Sequence, residues 1–137
     1  MNIQSNKVFV SAFRSIQSEH LNRLNHAEAR NVLIRGGFNF KVVEGVYKGV
    51  KELSFVLFAD NVDTHTMNMT EALNIARRFG QESILEVHND GAAELHYLDN
   101  GYRVERIGRF RGASEQDAVN RDAYTRDPVS GAYFVVE

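Results

Sequence analysis

Two short segments of the sequence carry side chains that can hold a small molecule. SAFRS at residues 11–15 ends an apolar run in small and polar residues beside a phenylalanine and an arginine, an edge on which a ligand can sit. GVYKG at residues 45–49 places Tyr47 at a turn, and Glu52 follows where the next strand begins. A tyrosine can hydrogen-bond a substrate, and a carboxylate can act as a general base toward water. A loop aromatic and a surface carboxylate remain the ordinary alternatives.

GYRVER at residues 101–106 is the third segment of this kind. Because side chains alternate along a strand, Tyr102 and Glu105 are expected on opposite faces. The arginines around them can hold an anion, but Glu105 among them favours an exposed, charge-balanced strand. These arginines are Arg103, Arg106, Arg109 and Arg111.

Several other kinds of chemistry find no support in the residues. The chain has no cysteine, which excludes disulfide frameworks, thiolate metal sites and cysteine nucleophiles. The serines occupy no nucleophile elbow, and the glycines form neither a phosphate loop nor a dinucleotide fingerprint. The five histidines lack the close spacing of metal ligands, so we expect no metal site. They are His20, His26, His65, His88 and His96.

The composition is that of one soluble globular domain covering residues 1–137. Hydrophobic residues make up 43% and charged residues 25%, so a core can form. The net charge of −2 argues against a nucleic-acid partner. No stretch approaches the length of a membrane span or resembles a signal peptide, so we expect no membrane partner and a cytoplasmic location.

The patterns of apolar residues and turn residues predict the elements that must position these segments. Strands are predicted at 7–13, 38–47, 52–59, 83–88, 92–98 and 102–107, and helices from Glu19 to Gly36 and at 70–79. Leu21, Leu24, Val32 and Leu33 are the expected apolar face of the first helix. The acidic stretch at 60–65 is expected to be a solvated loop. Residues 108–137 stay unassigned, apart from a last strand at YFVVE.

This order of elements is βαββαβ, which predicts an α+β fold: a ferredoxin-like sandwich with additional antiparallel strands. Its helices would cover one face of an open sheet. The chain has no further helix for the other face, so we expect a second copy of the chain to cover it.

Four segments, taken in order, resemble segments of the phage-encoded S-adenosylmethionine-cleaving enzymes, historically called S-adenosylmethionine hydrolases. They are VFVSAFRS at 8–15, GVYKG at 45–49, EALNIAR at 71–77 and GYRVERI at 101–107. The resemblance implies a homotrimer of α/β sandwiches similar to GlnB-like (PII) proteins, with active sites between subunits. It also implies work in the cytoplasm of a phage-infected host, where loss of the methyl donor counters restriction-modification.

The resemblance further implies a lyase reaction that needs no metal and no cofactor. The carboxylate of S-adenosylmethionine would attack its own Cγ, releasing 5′-methylthioadenosine and L-homoserine lactone. Tyr47, Glu52 and Glu105 match the catalytic positions: Glu105 would anchor the substrate ammonium beside Tyr47, and Glu52 would add a second contact or counter the sulfonium. The implied substrate-binding residues are Ser11, Ala12, Phe13, Arg14 and Tyr102.

Three alternatives remain open at this point. The first is true hydrolysis to L-homoserine, with Glu105 or Glu52 activating water. The second is a PII-like module that binds an adenine nucleotide and signals without catalysis. The third is a phage protein that inhibits a host enzyme by direct binding.

Overall fold

The computed structural model describes residues 5–99 and 101–137. In this part of the chain, strands and helices follow one another as β1 (Asn6–Val10), α1 (Glu19–Arg35), β2 (Phe40–Tyr47), β3 (Val50–Ala59), α2 (Val62–Arg78), β4 (Ser83–Val87), β5 (Ala92–Tyr97), β6 (Arg103–Ala113), α3 (Glu115–Val119), β7 (Ala123–Arg126) and β8 (Tyr133–Val136). None of the described helices is both long and apolar enough to cross a membrane.

The strands form a closed antiparallel barrel in the order β1-β3-β2-β7-β8-β6-β5-β4, and β4 pairs back onto β1. The prediction of an open ferredoxin-like sandwich similar to GlnB-like proteins was therefore wrong. The first six elements do follow one another as β, α, β, β, α, β. However, the β5 and β6 hairpins and the C-terminal strands continue the sheet until its edges meet, which removes unpaired edge groups.

Closure gives the molecule two apolar cores. One fills the barrel and includes Phe9, Val56, Phe110 and Phe134, the last two stacked with ring centroids 5.1 Å apart. The other lies outside the sheet, beneath the helices. The face of the sheet that we expected a second copy to cover lies inside the barrel, where Phe110 and Phe134 of residues 108–137 pack with side chains from the other strands.

Strand β1 separates these two cores. Val8 and Val10 point to the helices, whereas Phe9 points into the barrel. The first part of the mostly apolar run predicted as a strand at 7–13 is thus a strand buried on both faces, as such runs often are. The strand ends at Val10, and residues 11–13 belong to the loop that follows it.

Helix α1 begins at Glu19, with Ser18 accepting a hydrogen bond from the Leu21 N–H, and ends at Arg35, as predicted. Its predicted apolar face was wrong in its first two turns, where Leu21 and Leu24 are 42% and 54% exposed. The buried stripe has two polar members, Asn22 and His26, which bind the β1–α1 loop and stack on a core ring respectively. The full stripe is Asn22, His26, Ala29 and Leu33.

Helix α2 begins at Val62 rather than at Thr70, so the solvated loop expected at 60–65 is largely helix. Asn61 is its cap, accepting from the Thr64 N–H at 2.8 Å. The first turns are polar because Asn68 faces inward, donating to the Phe58 carbonyl at 3.0 Å. An apolar-periodicity argument therefore misses them.

The unassigned tail forms the end of β6, then α3, β7 and β8. The predicted last strand is confirmed as β8. Two arginines and two carboxylates from α3 and its flanks join the tail in an ion-pair network: Arg111, Asp117, Arg121 and Glu137.

Candidate functional site

A cleft of about 660 Å³ opens at one end of strand β3. Four segments line it: the loop after β1, the end of β2, the start of β3, and the connection from α2 to β4. Ser15 and Glu52 also line two adjoining recesses of about 520 and 360 Å³. Glu52 therefore stands where three hollows meet.

The loop after β1 is held in one shape by side-chain to backbone hydrogen bonds. The Asn22 side chain makes two hydrogen bonds to the backbone of Arg14: it accepts from the N–H at 2.8 Å and donates to the carbonyl at 3.0 Å. Gln81 donates to the Phe13 carbonyl at 2.8 Å. Ser11 accepts from the Phe13 N–H and donates to the Leu53 carbonyl at 2.7 Å. The cleft wall is thus preorganised.

These bonds divide the predicted substrate-binding residues of this loop into two groups. Phe13 and Arg14 line the cleft. Ala12 is fully buried, and the Ser11 hydroxyl is engaged within the loop. We therefore assign Ser11 and Ala12 to support of the loop.

Glu52 is a partly buried carboxylate with no ion-pair partner among residues 5–99 and 101–137. Burial raises the pKa of its carboxyl group above the usual value. Its cross-strand neighbour is Gly45, whose missing side chain leaves one of the recesses open beside it. The nearby Glu44 differs, because Lys51 and Arg126 contact it at 3.0 and 2.9 Å.

Tyr47 ends β2 and lines the same cleft as Glu52. The two residues between Tyr47 and Val50 both have positive φ, 49° at Lys48 and 80° at Gly49, which is the type I′ turn that matches strand twist. The Lys48 N–H also donates to the Asp122 carbonyl at 2.6 Å. The turn is tied down, and Tyr47, 61% exposed, stands at the cleft rim.

Glu105 and Tyr102 do not join this cleft within one chain. Glu105, on β6, has a half-exposed side chain paired with Arg103 at 3.3 Å. The Tyr102 hydroxyl is hydrogen-bonded to Nδ1 of His96. One subunit therefore brings together Tyr47, Glu52, Phe13 and Arg14 but leaves Glu105 and Tyr102 elsewhere.

Sequence reasoning missed Asn22 and Gln81, which hold the cleft wall. A signal for Asn22 was available, because it precedes His26, Ala29 and Leu33 at helical spacing and so marks the true inner face of α1. Gln81 follows the helix-ending Gly80 and has no comparable signal.

Comparison with known proteins adds a family to this geometry. A search of curated proteins finds no match to the chain. The model of the S-adenosylmethionine lyase family matches residues 8–137, including the tail for which the motifs gave no counterpart. The matched region contains every residue that lines the cleft. The chain therefore belongs to the S-adenosylmethionine lyase family and is an enzyme that cleaves S-adenosylmethionine.

Proposed function

We propose that the cleft around Glu52 cleaves S-adenosylmethionine to 5′-methylthioadenosine and L-homoserine lactone. The observation that carries this proposal is the partly buried carboxylate of Glu52, whose pKa is raised by burial and which has no ion-pair partner among the described residues. The substrate has two cationic groups, an ammonium and a sulfonium. Either the ammonium or the sulfonium beside Glu52 would supply the positive charge that the described residues do not place there. The cleft therefore favours a cationic ligand.

The reaction needs only the substrate's own atoms. A carboxylate oxygen bonds to Cγ while the Cγ–S bond breaks, and the electron pair of that bond leaves with sulfur as a neutral thioether. The carboxylate and sulfonium charges cancel as the lactone ring closes. The enzyme contributes by holding the methionine part curled, with the reacting atoms near contact distance. It also limits water around charges that are about to disappear.

The residues of the cleft fit distinct parts of this task. Glu52 holds the ammonium or balances the sulfonium, and the Tyr47 hydroxyl hydrogen-bonds the methionine part at the rim. The Arg14 guanidinium orients the substrate carboxylate before it attacks. Phe13 and the fixed backbone around it offer an apolar and hydrogen-bonding edge for the adenosine.

Glu105 and Tyr102 enter this proposal from a neighbouring subunit of a homotrimer. Glu105 is half exposed, and Tyr102 and Val104 beside it are 52% and 44% exposed. Tyr47 and Val50 at the cleft rim are exposed to a similar degree. If Tyr102 and Val104 of one subunit pack against Tyr47 and Val50 of another, both surfaces are covered. Glu105 then becomes a second carboxylate beside the substrate.

Product analysis in ¹⁸O-labelled water tests the reaction. We expect unlabelled lactone and 5′-methylthioadenosine to appear together from S-adenosylmethionine, followed by slow hydrolysis of the lactone. Labelled L-homoserine formed directly would instead mean hydrolysis, and intact substrate would mean a non-catalytic adenine-nucleotide sensor. Glu115→Gln, which removes an exposed carboxylate on α3, is the control for the substitution of Glu52.

We also propose that the biological role is phage counter-defence. An enzyme that removes the methyl donor deprives methyltransferases of their substrate. It also deprives those restriction enzymes that need S-adenosylmethionine of their cofactor. Expression in a restricting host should raise the plating efficiency of unmodified phage, and Glu52→Gln should abolish that gain.

A further inference from the structure

Three of the five histidines in the sequence gather around one carboxylate on the outer side of the barrel wall. The Nε2 atoms of His65, on α2, and His96, on β5, lie 2.6 and 2.8 Å from the two oxygens of Glu86. The Nε2 atom of His88, directly after β4, lies 3.7 Å from Glu86. Glu86 itself is only 8% exposed.

A second carboxylate completes the cluster. Glu94 is the cross-strand neighbour of Glu86 and is hydrogen-bonded to Nε2 of His88. Arg106 is its neighbour on the other side, on β6, yet the Glu94 side chain turns to the histidine. One donor atom from each of Glu86, His88 and Glu94 lies within 4.8 Å of the other two. The His88 and Glu94 side chains are 38% and 30% exposed, so solvent ions reach them.

The remaining histidines hold Glu86 in place. Because a carboxylate only accepts hydrogen bonds, Nε2 of His96 carries a hydrogen, and its Nδ1 is hydrogen-bonded to the Tyr102 hydroxyl. His65 donates to the other oxygen in the same way. Buried donors that fix a ligand carboxylate are the kind of outer support that metal sites use. The hydrogen bond from His65 is the largest cause that lowers the pKa of Glu86 to about 2, so the group is anionic at neutral pH.

We propose that Glu86, His88 and Glu94 bind a divalent transition-metal ion, with His65, His96 and Tyr102 as the supporting layer. One imidazole and two carboxylates suit Zn²⁺ and its neighbours rather than Mg²⁺, which prefers oxygen ligands throughout. His88 would bind through the Nε2 lone pair, with its hydrogen on Nδ1. The ion would replace the His88–Glu94 hydrogen bond.

The three proposed metal ligands lie outside the Glu52 cleft, and Tyr102 is shared by the two proposals. Ser83, at the other end of β4, lines the Glu52 cleft. Since His65 on α2 is hydrogen-bonded to Glu86, a bound ion would be connected to α2 through that carboxylate. Its expected effect is on thermal stability, so its test does not depend on the proposed reaction.

Calorimetric titration of tag-free, chelator-treated protein with Zn²⁺ alone tests the site. We expect one equivalent to bind, with a rise in the thermal unfolding temperature, whereas Mg²⁺ at the same concentration does neither. His88→Ala and Glu94→Gln should each weaken binding by at least about tenfold. His20→Ala, at an exposed histidine on α1, should bind as the wild type does.

These variants were chosen because their side chains are partly exposed, so the fold should tolerate their loss. Circular dichroism of each unliganded variant checks that it is folded. Absence of Zn²⁺ binding by the wild type would overturn the proposal. Equal affinities for His88→Ala and His20→Ala would overturn it as well, since the ion would then lie elsewhere.

Discussion

Glu52 and Glu86 are both carboxylates on strands of one barrel that are at least partly buried, yet they differ in the hydrogen-bond donors around them. Glu86 is surrounded by three imidazoles, and its pKa falls to about 2. Glu52 has no ion-pair partner among the described residues, and burial raises its pKa. The fold compensates the first carboxylate with hydrogen-bond donors. In our proposal a cationic substrate compensates the second, because partly buried groups with shifted pKa values are often found in binding sites.

The largest expected effect comes from removing the uncompensated charge. Glu52→Gln should lower kcat/KM for S-adenosylmethionine cleavage by about a hundredfold or more, because the charge acts on the cationic substrate. It should not lower the free energy of unfolding, because burial already disfavours this carboxylate. Initial rates and urea unfolding, measured on the same preparation, check both parts. Full activity in the variant would remove Glu52 from the mechanism.

The next prediction sharpens where the active site lies. If Glu105 acts from a neighbouring subunit, Glu52→Gln and Glu105→Gln are each nearly inactive alone. Unfolded together and refolded as mixed trimers, they should regain activity at about a quarter of the sites, because each such site has one intact contribution from each chain. Light scattering of the wild type should give a trimer. No recovery on mixing, with trimers present, would contradict a site shared between subunits.

For Glu86, the carboxylate that the fold compensates, we expect a loss of stability rather than a loss of activity. Glu86→Gln should lower the free energy of unfolding by about 2 kcal/mol in chelator-treated protein, because two buried imidazoles lose an anionic acceptor. The kcat/KM of the folded fraction should change little. A loss of cleavage as large as that of Glu52→Gln, at wild-type stability, would contradict the distinction between the two groups.

The last effect appears only at acidic pH and concerns the support of the cleft. His26 stacks on Phe55 at 4.4 Å and meets Phe13 edge-on, and burial, then the charges of Arg23 and Arg30, lowers its pKa to about 4. The unfolded chain takes up this proton near pH 6.5, whereas the folded chain does so near 4. The contribution of His26 to stability is therefore present above pH 6.5 and lost as the pH falls toward 4.

This loss should amount to at most about 1.4 kcal/mol per pH unit. It is measured as the difference between wild type and His26→Phe in urea unfolding from pH 7 to pH 4. Parallel curves for the two proteins would show that His26 does not titrate differently on folding.

Features that depend on residues close together in the sequence could be predicted, whereas features that depend on distant residues could not. Ser18 and Gly36 bracket α1, and Tyr47 and Glu52 share a cleft because a tight hairpin joins them. Closure of the barrel instead requires β2 to pair with β7 and β6 to pair with β8. No residue type in the sequence indicates which distant strands will pair. The same holds for Glu86, whose histidine partners come from α2 and β5. The start of α2 was missed for a different reason, because Asn68 satisfies a backbone carbonyl on what looked like a polar face.

The position of β7 and β8 in the wall has a consequence for biogenesis. These strands, from residues 123–136, join β2 to β6. A nascent chain that has emerged only as far as β6 therefore has an open seam and a half-lined interior. Folding to the active form must wait until the ribosome has delivered both strands, and pairing over such sequence separations is slow. Translation, rather than diffusion of the substrate, then sets the earliest moment at which a cell that makes this enzyme begins to lose S-adenosylmethionine.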